Sequence, residues 1–159
     1  MPSHLVRFGR WTVRAEPEKT RSAYTGLVAA SERCGCNICR NYQAARDQVF
    51  GDEPRALLAQ LGIDPAREVE VLHTHRIARG RHAYQGWFHL FGALEGGKDA
   101  YVPRGPDAFA VELEPCGEAL SFGFTTRLAL VSNAWVNAQV IQLEFAAIVP
   151  WVLEIDEPS

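Results

Sequence analysis

The second half of the chain, from residue 68 to residue 151, alternates apolar and polar residues in long stretches separated by short turns. Successive side chains of a β-strand point to opposite faces of a sheet, so this period of two predicts strands that each bury one face. The predicted strands cover residues 68–78, 83–94, 109–113, 120–130 and 141–151, with Gly80 in the first turn. Strands joined by short turns pair in antiparallel order. Such a meander has to curl or be covered by another layer, and this requirement constrains the fold most.

Helical signals occur in the first half of the chain. Apolar residues recur at steps of three and four over residues 36–50, which is typical of one face of an α-helix, and Gly51 follows as a stop. Pro54 then lies in the first turn of a second short helix that ends before Gly62. These two helices are the predicted cover of the sheet.

The segment before these helices carries weaker patterns. Alternation within residues 5–16 predicts a strand that ends at Pro17. Residues 18–23 are polar and predict a loop, and residues 24–30 form a short apolar piece that is either strand or coil.

The length of 159 residues and a composition of 47% hydrophobic and 22% charged residues fit one globular domain over residues 1–159. The predicted fold class is therefore α+β. It is a curled antiparallel sheet, either an open meander or a partly open barrel, with a two-helix insertion near the N-terminus.

Charge and hydropathy limit the partners that we expect. A net charge of −3 provides no positive field for nucleic acid. The longest apolar run, residues 145–153, is interrupted by Pro150 and is too short to cross a membrane. The N-terminus lacks the apolar core of a signal peptide, so we expect a cytoplasmic location, where thiols stay reduced. Self-association into a homo-oligomer and a small-molecule ligand stay open.

Three of the four cysteines, Cys34, Cys36 and Cys39, lie within six residues at the predicted start of the first helix. Residues three apart on a helix share one side, and Gly35 gives the chain the freedom to bring the first cysteine to the same point. Zinc prefers four such ligands in a tetrahedron. The sequence thus predicts a small zinc-type metal-binding module or another ligand-binding module.

The fourth metal ligand has to come from elsewhere, because no second pair of cysteines or histidines has the spacing of a zinc half-site. Cys116, in a predicted turn, is the first candidate. His73 or His75 is the alternative, since both lie on one face of the predicted strand 68–78.

Two other interpretations of the cysteines stay open. Cys36 and Cys39 form a C-x-x-C pair at a helix N-terminus, where backbone amides stabilise a thiolate, so the protein can be a thiol redox protein. The two residues also continue the apolar stripe of the helix, which is typical of a noncatalytic structural or oligomerisation module with buried cysteines. The sequence has no nucleophile elbow, phosphate-binding loop or dinucleotide fingerprint, and it assigns no enzymatic activity.

The stretch from Cys34 to Tyr42, with the pattern Cys-x-Cys-x-x-Cys-Arg-Asn-Tyr, resembles a group of small uncharacterised bacterial proteins. Further parts of this resemblance are residues 61–65, residues 84–88 and the closing Pro-Trp-Val-Leu stretch at 150–153. The resemblance spans most of the chain. It implies no activity and assigns no site residues.

Overall fold

An antiparallel sheet, described with the rest of residues 2–159 by a computed structural model, forms the centre of the fold. The chain begins with strands β1 (His4–Phe8) and β2 (Trp11–Ala15) and continues through helices α1 (Pro17–Tyr24), α2 (Ala30–Cys34), α3 (Asn37–Val49) and α4 (Asp52–Leu61). The later strands are β3 (Glu70–Ala78), β4 (Arg81–Gly96), β5 (Tyr101–Pro103), β6 (Phe109–Val111), β7 (Glu114–Cys116), β8 (Leu120–Thr125) and β9 (Val140–Pro150). A 3₁₀ turn, Asn133–Trp135, precedes the last strand.

The strand order within the described residues is β1-β2-β4-β9-β8-β7, and β3 also pairs with β4. Strand β4 has 16 residues, and one edge of it serves two partners in succession. Its first part pairs with β3 and its last part with β2, while β9 runs along the opposite edge. The sheet is open and is not closed into a barrel. Strands β5 and β6 form a separate two-stranded hairpin.

The predicted fold class is confirmed. The chain is α+β, with an antiparallel sheet and with its helices in the N-terminal part of the chain. The two predicted helices correspond to α3 and α4, and the turn at Gly80 has the positive φ of 75° that favours glycine. The predicted strands at both ends of the β region, 68–78 and 141–151, match β3 and β9 within two residues.

The loop predicted over residues 18–23 is wrong, because these residues belong to α1. Pro17 lies in the first turn of this helix, where backbone amides have no intrahelical acceptor, so its missing N–H costs no hydrogen bond. Thr20 and Tyr24 are buried one turn apart, and the Thr20 hydroxyl accepts a hydrogen bond from the Phe91 amide at 3.0 Å. Contacts with the rest of the fold thus stabilise a helix in a segment whose sequence is mostly polar. The apolar piece predicted over 24–30 ends this helix and leads into α2.

The strand predicted over residues 120–130 ends at Thr125, since side chains divert the backbone there. The Thr125 hydroxyl accepts from the Arg127 amide at 3.0 Å, and the Asp99 carboxylate accepts from the Thr126 amide at 2.9 Å. The predicted loop over residues 96–108 contains β5, and the predicted turn around residue 116 forms part of β7.

The core lies between the sheet and helices α3 and α4, with Phe145 of β9 near its centre. The Phe145 ring lies 5.3 Å from that of Phe88 and 6.0 Å from that of Phe50, between centroids. A Cβ atom at Gly86 would clash with this ring and with the Glu70 carbonyl oxygen, so the close approach of β3, β4 and the core requires glycine there. No helix among residues 2–159 is long and apolar enough to cross a membrane.

We expect Phe145→Ala to lower the free energy of unfolding by about 3–5 kcal/mol, because it leaves a cavity among packed aromatic rings. Ile148→Ala is the matched control on the same strand, since Ile148 is exposed, and we expect it to change stability by less than about 1 kcal/mol. Urea unfolding followed by fluorescence measures both values. Equal effects of the two variants would contradict this description of the core.

Candidate metal centre at the start of helix α3

Two residues, Gly35 and Cys36, turn the chain from α2 into α3. Gly35 ends α2 with a φ of 69°, in the left-handed region that favours glycine, and no atom outside its chain neighbours approaches its missing side chain. Cys36 is extended, with φ −73° and ψ 165°, and is the N-cap of α3. This turn places Cys34, Cys36 and Cys39 around one point.

The sulfur atoms of these three cysteines all lie within 4.8 Å of one another, and the Sγ atoms of Cys34 and Cys36 are 3.1 Å apart. Tetrahedral zinc–sulfur bonds of about 2.3 Å place neighbouring sulfurs roughly 3.8 Å apart. The three thiols can therefore ligate one metal ion. Among residues 2–159, no other three cysteine, histidine or acidic side chains bring their possible ligand atoms this close to one another.

Exposure differs across the cluster. Cys34 and Cys36 are exposed, whereas Cys39 is buried at 6% exposure. The prediction that Cys36 and Cys39 are both core residues is therefore confirmed only for Cys39. Packing gives no reason for Cys34 and Cys36 to lie beside it.

Amide groups at the start of α3 act on the Cys36 sulfur. The Cys39 amide donates to this sulfur at 3.5 Å, and this contact is the main reason that the pKa of Cys36 is lowered. Burial, followed by the neighbouring Cys34 and Cys36 thiols, raises the pKa of Cys39. Cys36 is thus the thiol of the pair whose thiolate the protein favours.

The carboxylate of Glu68, which precedes β3, connects both helices that carry the cysteines. Its Oε2 atom accepts hydrogen bonds from the Ser31 amide and hydroxyl of α2, each at 3.1 Å. Its Oε1 atom lies 3.6 Å from Nη1 of Arg46 on α3, and its carbonyl oxygen accepts from the Ala30 amide at 3.1 Å. The Glu68 side chain is fully buried, and burial raises its pKa.

Two polar residues fix the first turns of α3 against the sheet. The Tyr84 hydroxyl donates to the Ile38 carbonyl oxygen at 2.9 Å. Asn41 is fully buried. Its side-chain Nδ2 group donates to the Pro150 carbonyl oxygen at 3.0 Å, and its Oδ1 atom accepts from the backbone amide of Val152 at 2.7 Å. No pattern in the sequence indicated Glu68, Tyr84 or Asn41 as site residues. Asn41 could nevertheless have been found from the sequence, because it is a polar residue among the apolar residues on one face of the predicted helix.

Cys116 is not brought to the cluster. It is buried in β7, and the next residue, Gly117, donates its amide to Glu53 Oε2 at 3.0 Å, near the start of α4. Burial raises the pKa of Cys116 to about 11. The 13 residues of α3 separate the start of α4 from the other cysteines, and such a helix is about 20 Å long. The predicted fourth sulfur ligand therefore lies at the opposite end of α3.

His73 and His75 do not share a face, contrary to the prediction from alternation. The register of β3 against β4 shifts between them, so that His73 pairs with Tyr84 and His75 pairs with Ala83. Tyr84 and Ala83 are successive residues and point to opposite faces. This bulge at Thr74 turns His75 away from the helices.

His73 is on the helix side of the sheet but is outside the group of three sulfurs. Its ring packs edge-on against the Tyr84 ring, with centroids 5.3 Å apart. Its Nε2 atom lies 2.9 Å from His82 Nδ1, and His82 Nε2 lies 2.9 Å from Glu157 Oε2. The second histidine and the carboxylate hold the first ring in a fixed orientation.

The raised pKa of Glu68 predicts a pH-dependent contribution to stability. The folded chain binds the Glu68 proton more tightly than the unfolded chain, whose carboxyl has a pKa of about 4.3. The contribution of Glu68 to the free energy of unfolding should therefore fall as the pH rises from about 4.3 toward the raised pKa that Glu68 has in the folded chain. Urea unfolding of the wild type and Glu68→Gln between pH 4 and 7.5 measures this trend, and the variant should lose it.

Glu112→Gln is the control for the Glu68 experiment, because the hydrogen bond from Arg10 lowers the pKa of the Glu112 carboxyl. Its stabilising contribution is present above the unfolded pKa and is lost as the pH falls, which is the opposite trend. A stability difference between the wild type and Glu68→Gln that does not change with pH would contradict the assignment.

Comparison of the chain with protein-family models, curated proteins and solved structures gave no significant match. The chemistry of the three-cysteine site is therefore inferred from its geometry.

Proposed function

We propose that the protein binds one transition-metal ion of the zinc type through the thiolates of Cys34, Cys36 and Cys39. The observation that carries this proposal is the convergence of three sulfurs within 4.8 Å at a turn between two helices. Thiolates are soft ligands that favour zinc and iron–sulfur chemistry over magnesium or calcium.

The supports of the turn favour a preformed ligand set. Glu68 holds α2 through Ser31 and lies beside Arg46 of α3, and the Tyr84 hydroxyl holds the first turn of α3. Hydrogen-bonded partners outside the ligands orient metal ligands in the same way at known sites. Because the cysteines are placed by these contacts, little backbone rearrangement is required for three thiolates to bind one ion.

We propose that the fourth coordination position is open to solvent. Cys34 and Cys36 are both exposed, Cys116 lies beyond the far end of α3, and His75 faces the opposite side of the sheet. Three protein ligands with an exchangeable fourth position are typical of zinc sites that bind or activate a small molecule. A reducing compartment such as the cytoplasm suits this proposal, since the ligands have to remain thiolates.

The metal content of protein purified without chelator tests the proposal. We expect about one zinc or iron per chain, and each of Cys34→Ser, Cys36→Ser and Cys39→Ser should weaken binding by more than about tenfold. Cys116→Ala is the matched control and should keep the wild-type metal content, and His73→Gln should do the same because the fourth position is open. Only trace metal, together with unchanged thermal stability in EDTA, would contradict the proposal.

The second candidate function is thiol redox chemistry at Cys36. The specific observation is an exposed sulfur with a lowered pKa beside two other sulfurs. Oxidation of Cys36 with Cys39, or with Cys34, would form one S–S bond. Two electrons and two protons would pass to an oxidant of the peroxide or disulfide class.

Alkylation with iodoacetamide at pH 7, followed by peptide mass spectrometry, tests the redox candidate. We expect metal-free protein to react at Cys36 at least about tenfold faster than at the buried Cys116, because its thiolate is favoured and accessible. The labelling rate in protein loaded with zinc distinguishes the two candidates, since bound thiolates are protected. Equal, slow labelling of Cys36 and Cys116 in metal-free protein would rule out the redox candidate.

A further inference from the structure

A second polar network lies on the face of the sheet that points away from α3. His89 of β4 pairs with Gln142 of β9, and its Nε2 atom lies 2.9 Å from the Gln142 Oε1 atom. The Gln142 Nε2 group donates to Glu144 Oε1 at 2.8 Å, and the Tyr101 hydroxyl donates to the same carboxylate oxygen at 2.7 Å. His89 is fully buried. None of these residues takes part in the cysteine site.

The network determines which nitrogen of His89 carries the proton. The Ala129 amide donates to Gln142 Oε1 at 2.9 Å, so a reversed side-chain amide would place two donors against each other. The amide oxygen therefore faces His89, and His89 Nε2 must donate to it. Burial lowers the pKa of His89 and favours its neutral form. The lone pair of the neutral ring is consequently on Nδ1.

The Nδ1 atom of His89 is buried and has no hydrogen-bond partner in the structure. Buried acceptors are nearly always satisfied, because an unpaired one loses its hydration without compensation. Within residues 2–159 this acceptor is therefore free to take a donor group from outside the protein. The surroundings of His89 indicate what kind of group this is.

His89 lines a cavity of about 360 Å³ between the segment before α2, the start of β3 and the segment 130–135. Its size is within the range of small-molecule sites. The apolar part of the lining includes Leu27, Val28 and Trp135. The cavity also contains charged residues, and their partners decide the net charge that a ligand would meet.

Two arginines, Arg33 and Arg67, line this cavity. Arg33 forms no ion pair with any of residues 2–159. Its guanidinium makes one long hydrogen bond, at 3.4 Å, to the Val69 carbonyl oxygen. Arg67 pairs with Asp64 at 3.1 Å and donates to backbone carbonyl oxygens, and Glu68 is held by Ser31 and Arg46. The unpaired charge at the cavity is therefore positive.

We propose that this cavity binds a small organic acid that carries a hydroxyl group. The carboxylate would face Arg33, the hydroxyl would donate to His89 Nδ1, and the apolar body would pack against Leu27, Val28 and Trp135. The site is independent of the proposed metal centre, because no cysteine lines the cavity. Loss of metal binding would leave this proposal unchanged.

Two pairs of matched acids test the proposal on the full-length protein: lactate with propionate, and 4-hydroxybenzoate with benzoate. Affinity is measured by titration calorimetry, and binding at His89 is followed by the ¹⁵N resonances of the imidazole. In at least one pair, the hydroxy acid should bind at least about tenfold more tightly than the acid that lacks the donor. The His89 Nδ1 resonance should shift when it binds.

Three variants locate the two contacts of the ligand. His89→Phe removes the acceptor and keeps a ring, while Gln142 keeps its bond from Ala129, so this variant should lose the preference for the hydroxyl. Arg33→Gln should weaken both acids of a pair to a similar extent. Arg40→Gln is the control, since Arg40 is also an exposed helix arginine but does not line the cavity.

Absence of a hydroxyl preference in both acid pairs would overturn the proposal, as would a preference that persists in His89→Phe. If His89→Phe does not fold, the wild-type measurements decide alone. In that case, binding of the hydroxy acid without a shift of the His89 Nδ1 resonance would overturn the proposal.

Discussion

The arrangement of the site depends on one buried carboxylate, that of Glu68. Helix α2 has only five residues, and helices of this length are not stable without tertiary contacts. The Glu68 carboxylate supplies such contacts through the Ser31 amide and hydroxyl, and Arg46 of α3 lies beside its other oxygen. A buried carboxylate is unfavourable unless it is paired and hydrogen-bonded. The groups that contact Glu68 therefore hold α2 and α3 next to each other, and the three cysteines lie at the junction of these helices.

Helix α2 also connects the two sites that we propose. Arg33 lies at the cavity that His89 lines, and the next residue, Cys34, belongs to the sulfur cluster. Glu68 itself lines the same cavity. The two sites therefore have a short physical connection, although their ligands and their tests are independent.

The sequence predicts those parts of the fold in which local pattern and tertiary packing agree. Strands β3, β4 and β9 follow from alternation, and α3 and α4 follow from helical periodicity with glycine stops. Helix α1 could not be predicted this way, because its burial comes from contacts with β4 that a local pattern does not contain. The same limit applies to His75, since a single bulge at Thr74 reverses its face. The proximity of Cys34, Cys36 and Cys39 was predictable because it is local. The positions of Cys116 and Glu68 relative to them depend on the packing of distant elements.

In the proposed metal centre, three sulfur atoms of this chain ligate one metal ion. X-ray absorption spectroscopy at the zinc edge, on protein loaded with one equivalent of zinc, counts these ligands directly. We expect three sulfur neighbours at about 2.3 Å and one lighter neighbour at about 2.0–2.2 Å, and Cys116→Ala should give the same spectrum. A coordination sphere of nitrogen and oxygen alone, or one that loses sulfur in Cys116→Ala, would contradict ligation by Cys34, Cys36 and Cys39.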